Sequence, residues 1–484
     1  MLSISHHTNH LLWRAGFGPT PDMLSQPTPF NAHTYFEALV IASQKTKLQP
    51  LEVSKNLVDG LANGIGQLGR LQQLSRNEQL TQRQQMARQS RQELRSLNLL
   101  WLEEMVQSTA QLREKMALFW HGHFACRNLN SYFQQHLLQQ IRENALGNFG
   151  ALLHAVSKSP AMLAFLNNQQ NRKQSPNENF AREVMELFTL GRGNYTELDI
   201  KEAARAFTGW GFDASGQFVF RRLVHDAGTK TVLGTTGNLT GDEVLDLLLA
   251  KKQTALFITQ KLYRFLVNET APPERIAWLA ERFYQSGYEI LPLLKDIFTA
   301  KWFYNQENIG NRIKGPIEWW VGLRRMLPMQ IANPEIQLLL QRSLGQVLFY
   351  PPNVAGWPGG TNWIDGNSLL LRMRIPMLLP STDALEIPVK TDDDVEMGRM
   401  ERTTTAKLAS RFKLNADINW NLLSVCFEQL KGPSLQEQIA QALIMTPVKP
   451  PVHWFGSPGN IEYNPNAIAS LAIQYMSTPE YQLC

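Results

Sequence analysis

The stretch LREKMALFWHGHF, Leu112 to Phe124, decides how this chain is read. Leu112, Met116, Phe119 and His123 fall at i, i+4, i+7 and i+11, which is one face of an α-helix. His123 therefore continues a buried stripe. At roughly 100° per residue, His121 lies about 200° away from it, so a regular helix cannot bring both imidazoles to one metal. Gly122 permits a broken backbone, and with it an HxH chelate, without requiring one. Two readings stay open: a metal site containing His121 or His123, or one core histidine beside a partly exposed one.

Working outward, the same periodicity recurs over 33–47, 66–107, 131–146, 178–190, 197–208, 241–250, 252–268, 273–287, 289–300, 315–326 and 334–347. In NLTGDEVLDLLLAKK, Thr240 is a helix cap and Glu243 follows three residues later. APPERIAWLAERFYQSG opens on prolines, spaces its apolar residues helically and stops at Gly287. Strand signal is confined to GQFVFRRLVHDAGTKTVLG, where HDAGTK supplies a turn. The expected fold is mainly α, a large multi-helix globular domain with one short β-hairpin near 216–234. Residues 1–379 read as the main helical domain and 380–404 as a polar, proline-punctuated connector or insertion. Residues 405–484 read as a C-terminal helical part packing on the main domain, and 447–465 within it as a proline-rich loop.

Composition narrows the function classes. Of the 484 residues, 43% are hydrophobic and 18% charged, a globular balance. The net charge of +5 is concentrated between Gly66 and Arg95, where six Arg face only Glu78 and Glu93. That segment is rich in Gln but has no Lys cluster and no interleaved aromatics. It reads as a solvated helix face, and nucleic acid is disfavoured as a partner. Cys126, Cys426 and Cys484 are far apart and odd in number, so no disulfide framework is implied. No apolar run of transmembrane length occurs, and the start MLSISHHTNHLLWRAGFGPTP has no signal-peptide pattern. The expectation is a soluble, cytoplasmic protein.

Several groups could carry chemistry. In SPNENFAREVMELFTLG, Ser175 or Asn177 can cap a helix, and Glu178 and Arg182 form an i, i+4 pair. Glu183 and Glu186 share a face on a helix that is apolar almost all round. Buried carboxylates need a cation, a metal or strong donors, with Arg182 and Arg205 the obvious cations. Glu202 and Arg205 stand at i, i+3 on a helix that ends in TGWG. HDAGTK places His225, Asp226 and Lys230 in one turn, as acid/base groups, a hard-metal ligand and an anion stabiliser, or simply as turn chemistry. Trp357 and Trp363, in FYPPNVAGWPGGTNWIDG, could stack on a sugar or plug the core. Asp392 to Asp394 read as solvated. No Walker A, GxGxxG, HExxH or GxSxG pattern is present.

Taken in order, HLLWRAGFGPTP, LREKMALFWHGHFA, NENFAREVMELFTLG, EAARAFTGW, HDAGTKTVLG, PPNVAGWPGGTNWI and MSTPEYQ resemble the bacterial family called domain of unknown function 1800. The resemblance spans about residues 9–482. It implies a predominantly helical protein with no established general activity. It also implies an exported location for many members, and a phosphatase- or sulfatase-like protein partner encoded nearby. Its motif residues are His121, His123, Asn177, Glu178, Glu183, Glu186, His225, Asp226, Lys230 and Trp357.

Two functional readings compete. One is an enzyme, a candidate hydrolase. Its catalytic groups would be His123, Glu183, Glu186, His225, Asp226 and Lys230, with Arg182, Trp357 and Trp363 binding a glycan or anionic substrate. A divalent metal would be held by His121, His123, Glu183 and Glu186, or the carboxylates would do acid/base work alone. The other is a non-catalytic helical binding or assembly protein, marked by an exposed apolar patch.

Overall fold

A computed structural model describes residues 5–25, 30–54, 76–380, 384–385, 412–427, 433–446 and 465–484. Asp392 to Asp394, most of the connector and nearly all of the proline-rich loop lie outside them. The protein is mainly helical, and among the described residues every sheet is two-stranded.

The opening stretch forms the helix Gln111–His123, and it is central. It packs against Ala32–Lys45, Arg76–Gln107 and Ser131–Asn144, so nearly every residue in it is buried. The stripe reading is correct for His123 and incomplete for His121. A helix walled on several sides has no solvent face, and His121 is only 2% exposed where a partly exposed side chain was expected.

Local signals account for many boundaries. Thr240 and Glu243 cap each other reciprocally at the start of Gly241–Leu249, as Thr196 and Asp199 do for Glu197–Ala206. Pro273 takes the first position of Pro273–Gln285, and Gly287 follows its end at φ +69°. Lys252–Leu266 packs lengthwise against that helix.

The expected hairpin region is organised differently in detail. Phe218–Phe220 pairs backwards with Trp210–Phe212, and Lys230–Val232 pairs forwards with Thr235–Gly237. Between them Arg222–Val224 coils into a single 3-10 turn, which prevents the two halves of 216–234 from pairing with each other. Two further short sheets join distant chain segments: Met329–Ile331 with Ala416–Ile418, and Ala384–Leu385 with Phe412–Lys413. Helix Pro465–Met476 lies on Gly366–Leu378, and Leu483 bridges to Ile313.

Candidate functional site

The segment NENFAREVMELFTLG is a helix that changes winding midway. Asn177 caps it by accepting from the Asn179 amide, and α-helix runs from Glu178 to Glu183. From Val184 to Thr189 the winding is π. The Leu190 amide reaches back to the Met185 carbonyl at 2.9 Å, and the Thr189 hydroxyl donates to the Val184 carbonyl at 2.7 Å. π-turns cost regular hydrogen bonding and occur often at functional sites.

This π-helix meets the end of the central helix. His123 Nε2 lies 3.2 Å from the Phe188 carbonyl, and the Lys261 ammonium lies 3.1 Å from His123 Nδ1. A carbonyl only accepts, so Nε2 carries the hydrogen and Nδ1 is the acceptor. Lys261 also reaches the Leu187 carbonyl at 3.4 Å. Desolvation, with Lys261 adding to it, holds His123 well below the usual histidine range, so the ring is neutral. Desolvation pushes Lys261 down to about 8.

His121 leaves the same helix end in another direction. Its Nε2 accepts from the Phe349 amide at 3.1 Å, and its ring packs among Trp101, Phe349 and Trp357 at 5.1 to 5.6 Å between centroids. Burial lowers it to about 3. Gly122, between the two histidines, receives the Trp357 loop. Gly356 sits at φ +83° with its backbone against the Gly122 carbonyl, where a Cβ would collide. The HGH motif thus joins a Trp loop on one side to a π-helix and a lysine on the other.

The other predicted residues are dispersed into local bonds. Glu186 bonds Tyr195 and Arg192, the latter at 2.8 Å, and not Arg182 or Arg205 as expected. The Tyr195 hydroxyl holds its carboxylate below the usual range against desolvation, with Arg192 adding to the lowering. Arg182 is clasped by Glu197 at 2.7 and 2.8 Å and by Glu178 at 3.4 Å. Glu183 is half-buried and accepts no hydrogen bond among the described residues; desolvation, and next the nearby Glu186, raise it. In the HDAGTK turn, Asp226 pairs with Arg205 at 2.7 Å, which also holds Glu202. His225 Nδ1 donates to the Thr208 carbonyl at 2.9 Å and lies 3.2 Å from the Thr208 hydroxyl. Lys230 donates to the Gly228 carbonyl and Asn238. This turn is a clasp between helix Glu197–Ala206 and the strand Lys230–Val232. Trp363 is buried, and Trp357 lies over His121.

No three His, Cys, Asp or Glu side chains gather as a metal-ligand cluster among the described residues. His121 and His123 each give Nε2 to a backbone group, and Glu186 is neutralised by its own partners. The donor set expected for a divalent ion therefore does not fit one site.

A family model described as protein of unknown function (DUF1800) matches residues 10–483. The chain belongs to the DUF1800 family. Nothing matches among curated proteins or solved structures. The match covers all the segments that meet at the HGH helix end. Among the described residues, no helix of this DUF1800 protein is long and apolar enough to cross a membrane.

Lys261 was missed by sequence reading. The signal was present in KQTALFITQKLYRFL, where Lys261 has Phe257 four residues before it and Phe265 four after. A lysine between two aromatics on one helix face is placed to lose water.

Proposed function

We propose that this chain is an enzyme whose reacting centre lies where the HGH helix end meets the π-helix, and that it works by acid–base or amine chemistry of the protein's own groups. The observation carrying this reading is the contact between Lys261 and a neutral His123, with no carboxylate paired to the lysine among the described residues. A poised amine beside an imidazole, held by a strained winding, is an arrangement that packing alone does not require. Glu183, raised and unbonded, is the one predicted carboxylate left available for proton transfer. The hydrolase version of this reading uses these groups without a metal.

Hydrogen–deuterium exchange tests the placement. Purified protein is screened against small carbonyl, ester and glycoside compounds, and binders are mapped. Slowed exchange in 119–124 and 184–191 is expected. Binders that protect other segments and leave both of these unchanged would overturn the placement.

A second reading is an assembly protein serving a phosphatase- or sulfatase-like partner, for which Leu223 is one apolar side chain that such a partner could cover. This side chain is 89% exposed in the 3-10 turn just before His225. Leu223→Asp then weakens association with such a partner, whereas an enzyme at the HGH end keeps its ligand protection unchanged.

A further inference from the structure

Three of the buried or half-buried lysines can be ranked by what faces them. Lys115 meets the Glu318 carboxylate. Lys314 lies over the Trp13 ring at 3.7 Å and the Tyr481 ring at 4.1 Å, fully buried. Lys261 differs from both. Its two hydrogen-bond acceptors are uncharged, unlike the carboxylate that Lys115 meets, and it keeps partial contact with solvent, unlike Lys314, which donates to the Tyr481 carbonyl in the closed interior.

The acceptor on His123 has a further consequence. Because Phe188 takes the Nε2 hydrogen, Nδ1 is fixed as a lone pair directed at Lys261 Nζ. That orients the amine whether it is charged or neutral. Desolvation and the absence of a paired carboxylate among the described residues withdraw support from the charged form, against a weak attraction from the Phe257 ring face. Lysines of this kind are the ones that add to carbonyl groups.

We propose that Lys261 is a nucleophilic amine that forms an imine with an aldehyde or ketone substrate, with His123 as its positioning residue. This deepens the functional reading above and rests on it. In the step, the neutral amine lone pair forms a C–N bond to the carbonyl carbon, and the C=O π pair moves to oxygen, which takes a proton. The nitrogen loses its two protons in turn, the oxygen takes a second proton and departs as water, and the nitrogen lone pair closes C=N. Amine plus carbonyl gives imine plus water, so no oxidant or reductant is consumed.

The test is borohydride trapping on the full-length folded protein, with glycolaldehyde and pyruvate as separate probes and each lysine read by mass spectrometry. At pH 7 Lys261 is expected to be modified at least tenfold faster than the median exposed lysine. Its rate should level off above pH 8, while exposed lysines keep rising to pH 10 and beyond. Lys261→Arg keeps the cation and its donors, and should lose only that adduct. His123→Gln should slow the reaction at Lys261 and leave other lysines unchanged. Modification of Lys261 no faster than that of exposed lysines, in protein whose exchange pattern is native, would overturn the imine. If ligands still protect 119–124 and 184–191 in that case, the enzyme placement stands and the amine chemistry alone is lost.

Discussion

The two ends of the central helix are both buried and both polar, yet they handle burial in opposite ways. At its N-terminal end the acidic and basic side chains Arg113, Glu114 and Lys115 are all in ion pairs. Glu114 is completely buried and takes Arg142 at 2.9 to 3.2 Å and the Trp101 indole at 3.1 Å. Lys115 and Arg312 share Glu318, which also accepts from the Gly315 amide. Burial alone would raise Glu318, but Arg312 and Lys115 outweigh it and hold the carboxylate at about 2. At the C-terminal end His121 and His123 stay neutral, and Lys261 has neutral acceptors only. The first end spends its charge on stability. The second leaves an amine and an imidazole unpaired by charge, which is the condition chemistry needs.

The largest effect is expected where charges are matched. Glu318→Gln leaves Lys115 and Arg312 buried without a counter-ion, and should cost about 3–5 kcal/mol in denaturant unfolding. A cost below about 1 kcal/mol would break the comparison, since the N-terminal end would then not depend on paired charge.

His121 sharpens the comparison through pH. Its folded pKa is about 3, below the ordinary histidine value, so the unfolded chain binds the extra proton between roughly pH 3 and 6.5. Stability from this residue is complete above pH 6.5 and falls as the solution is acidified. Between pH 6.5 and 5 the loss is about 2 kcal/mol. His121→Gln keeps an oxygen to accept from Phe349 but cannot take up the proton. Its unfolding free energy, followed from pH 7 to 5, should therefore fall less steeply than the native protein's. Equal slopes would mean that His121 is not held neutral by burial.

The helical architecture was legible because it rests on short-range rules. Apolar spacing, the Thr240–Glu243 cap and the Pro273 start all act within a few residues, and the boundaries fall close to expectation. Helix Phe149–Ser157 went unread, although Gly241–Leu249, of the same length, was found through its cap. The candidate site was legible in part. His123 was placed inward by phase, and its meeting with the Glu183–Glu186 segment is real, but it runs through the Phe188 carbonyl and not through a carboxylate. Periodicity cannot foresee that contact, because π winding shifts which groups face the neighbour. Nor can it foresee that Glu186 turns to Arg192, six residues along a chain that has by then left the helix. Lys261 lay 138 residues from His123, so only the packing of the helices could bring them together.

The smallest effect should come from the end that the comparison marks as chemical. Lys261→Met removes one amine hydrogen bond to a carbonyl and one to an imidazole, and also removes the need to bury an unpaired ammonium. The two nearly cancel, so at pH 7 the change should stay within about 1 kcal/mol. Lys115→Met, by contrast, strips Glu318 of a partner and should cost about 3 kcal/mol. The pH dependence tests Lys261 by itself. Lys261 sits at about 8 in the folded chain and near the ordinary lysine value when unfolded. Between those values the unfolded state holds the extra proton, so the native protein gains stability relative to Lys261→Met as the pH rises from 8 to about 10.5. Unfolding free energies of both proteins at pH 7, 8, 9 and 10 measure this directly. A gap that stays constant across the series would mean that the fold does not depress Lys261.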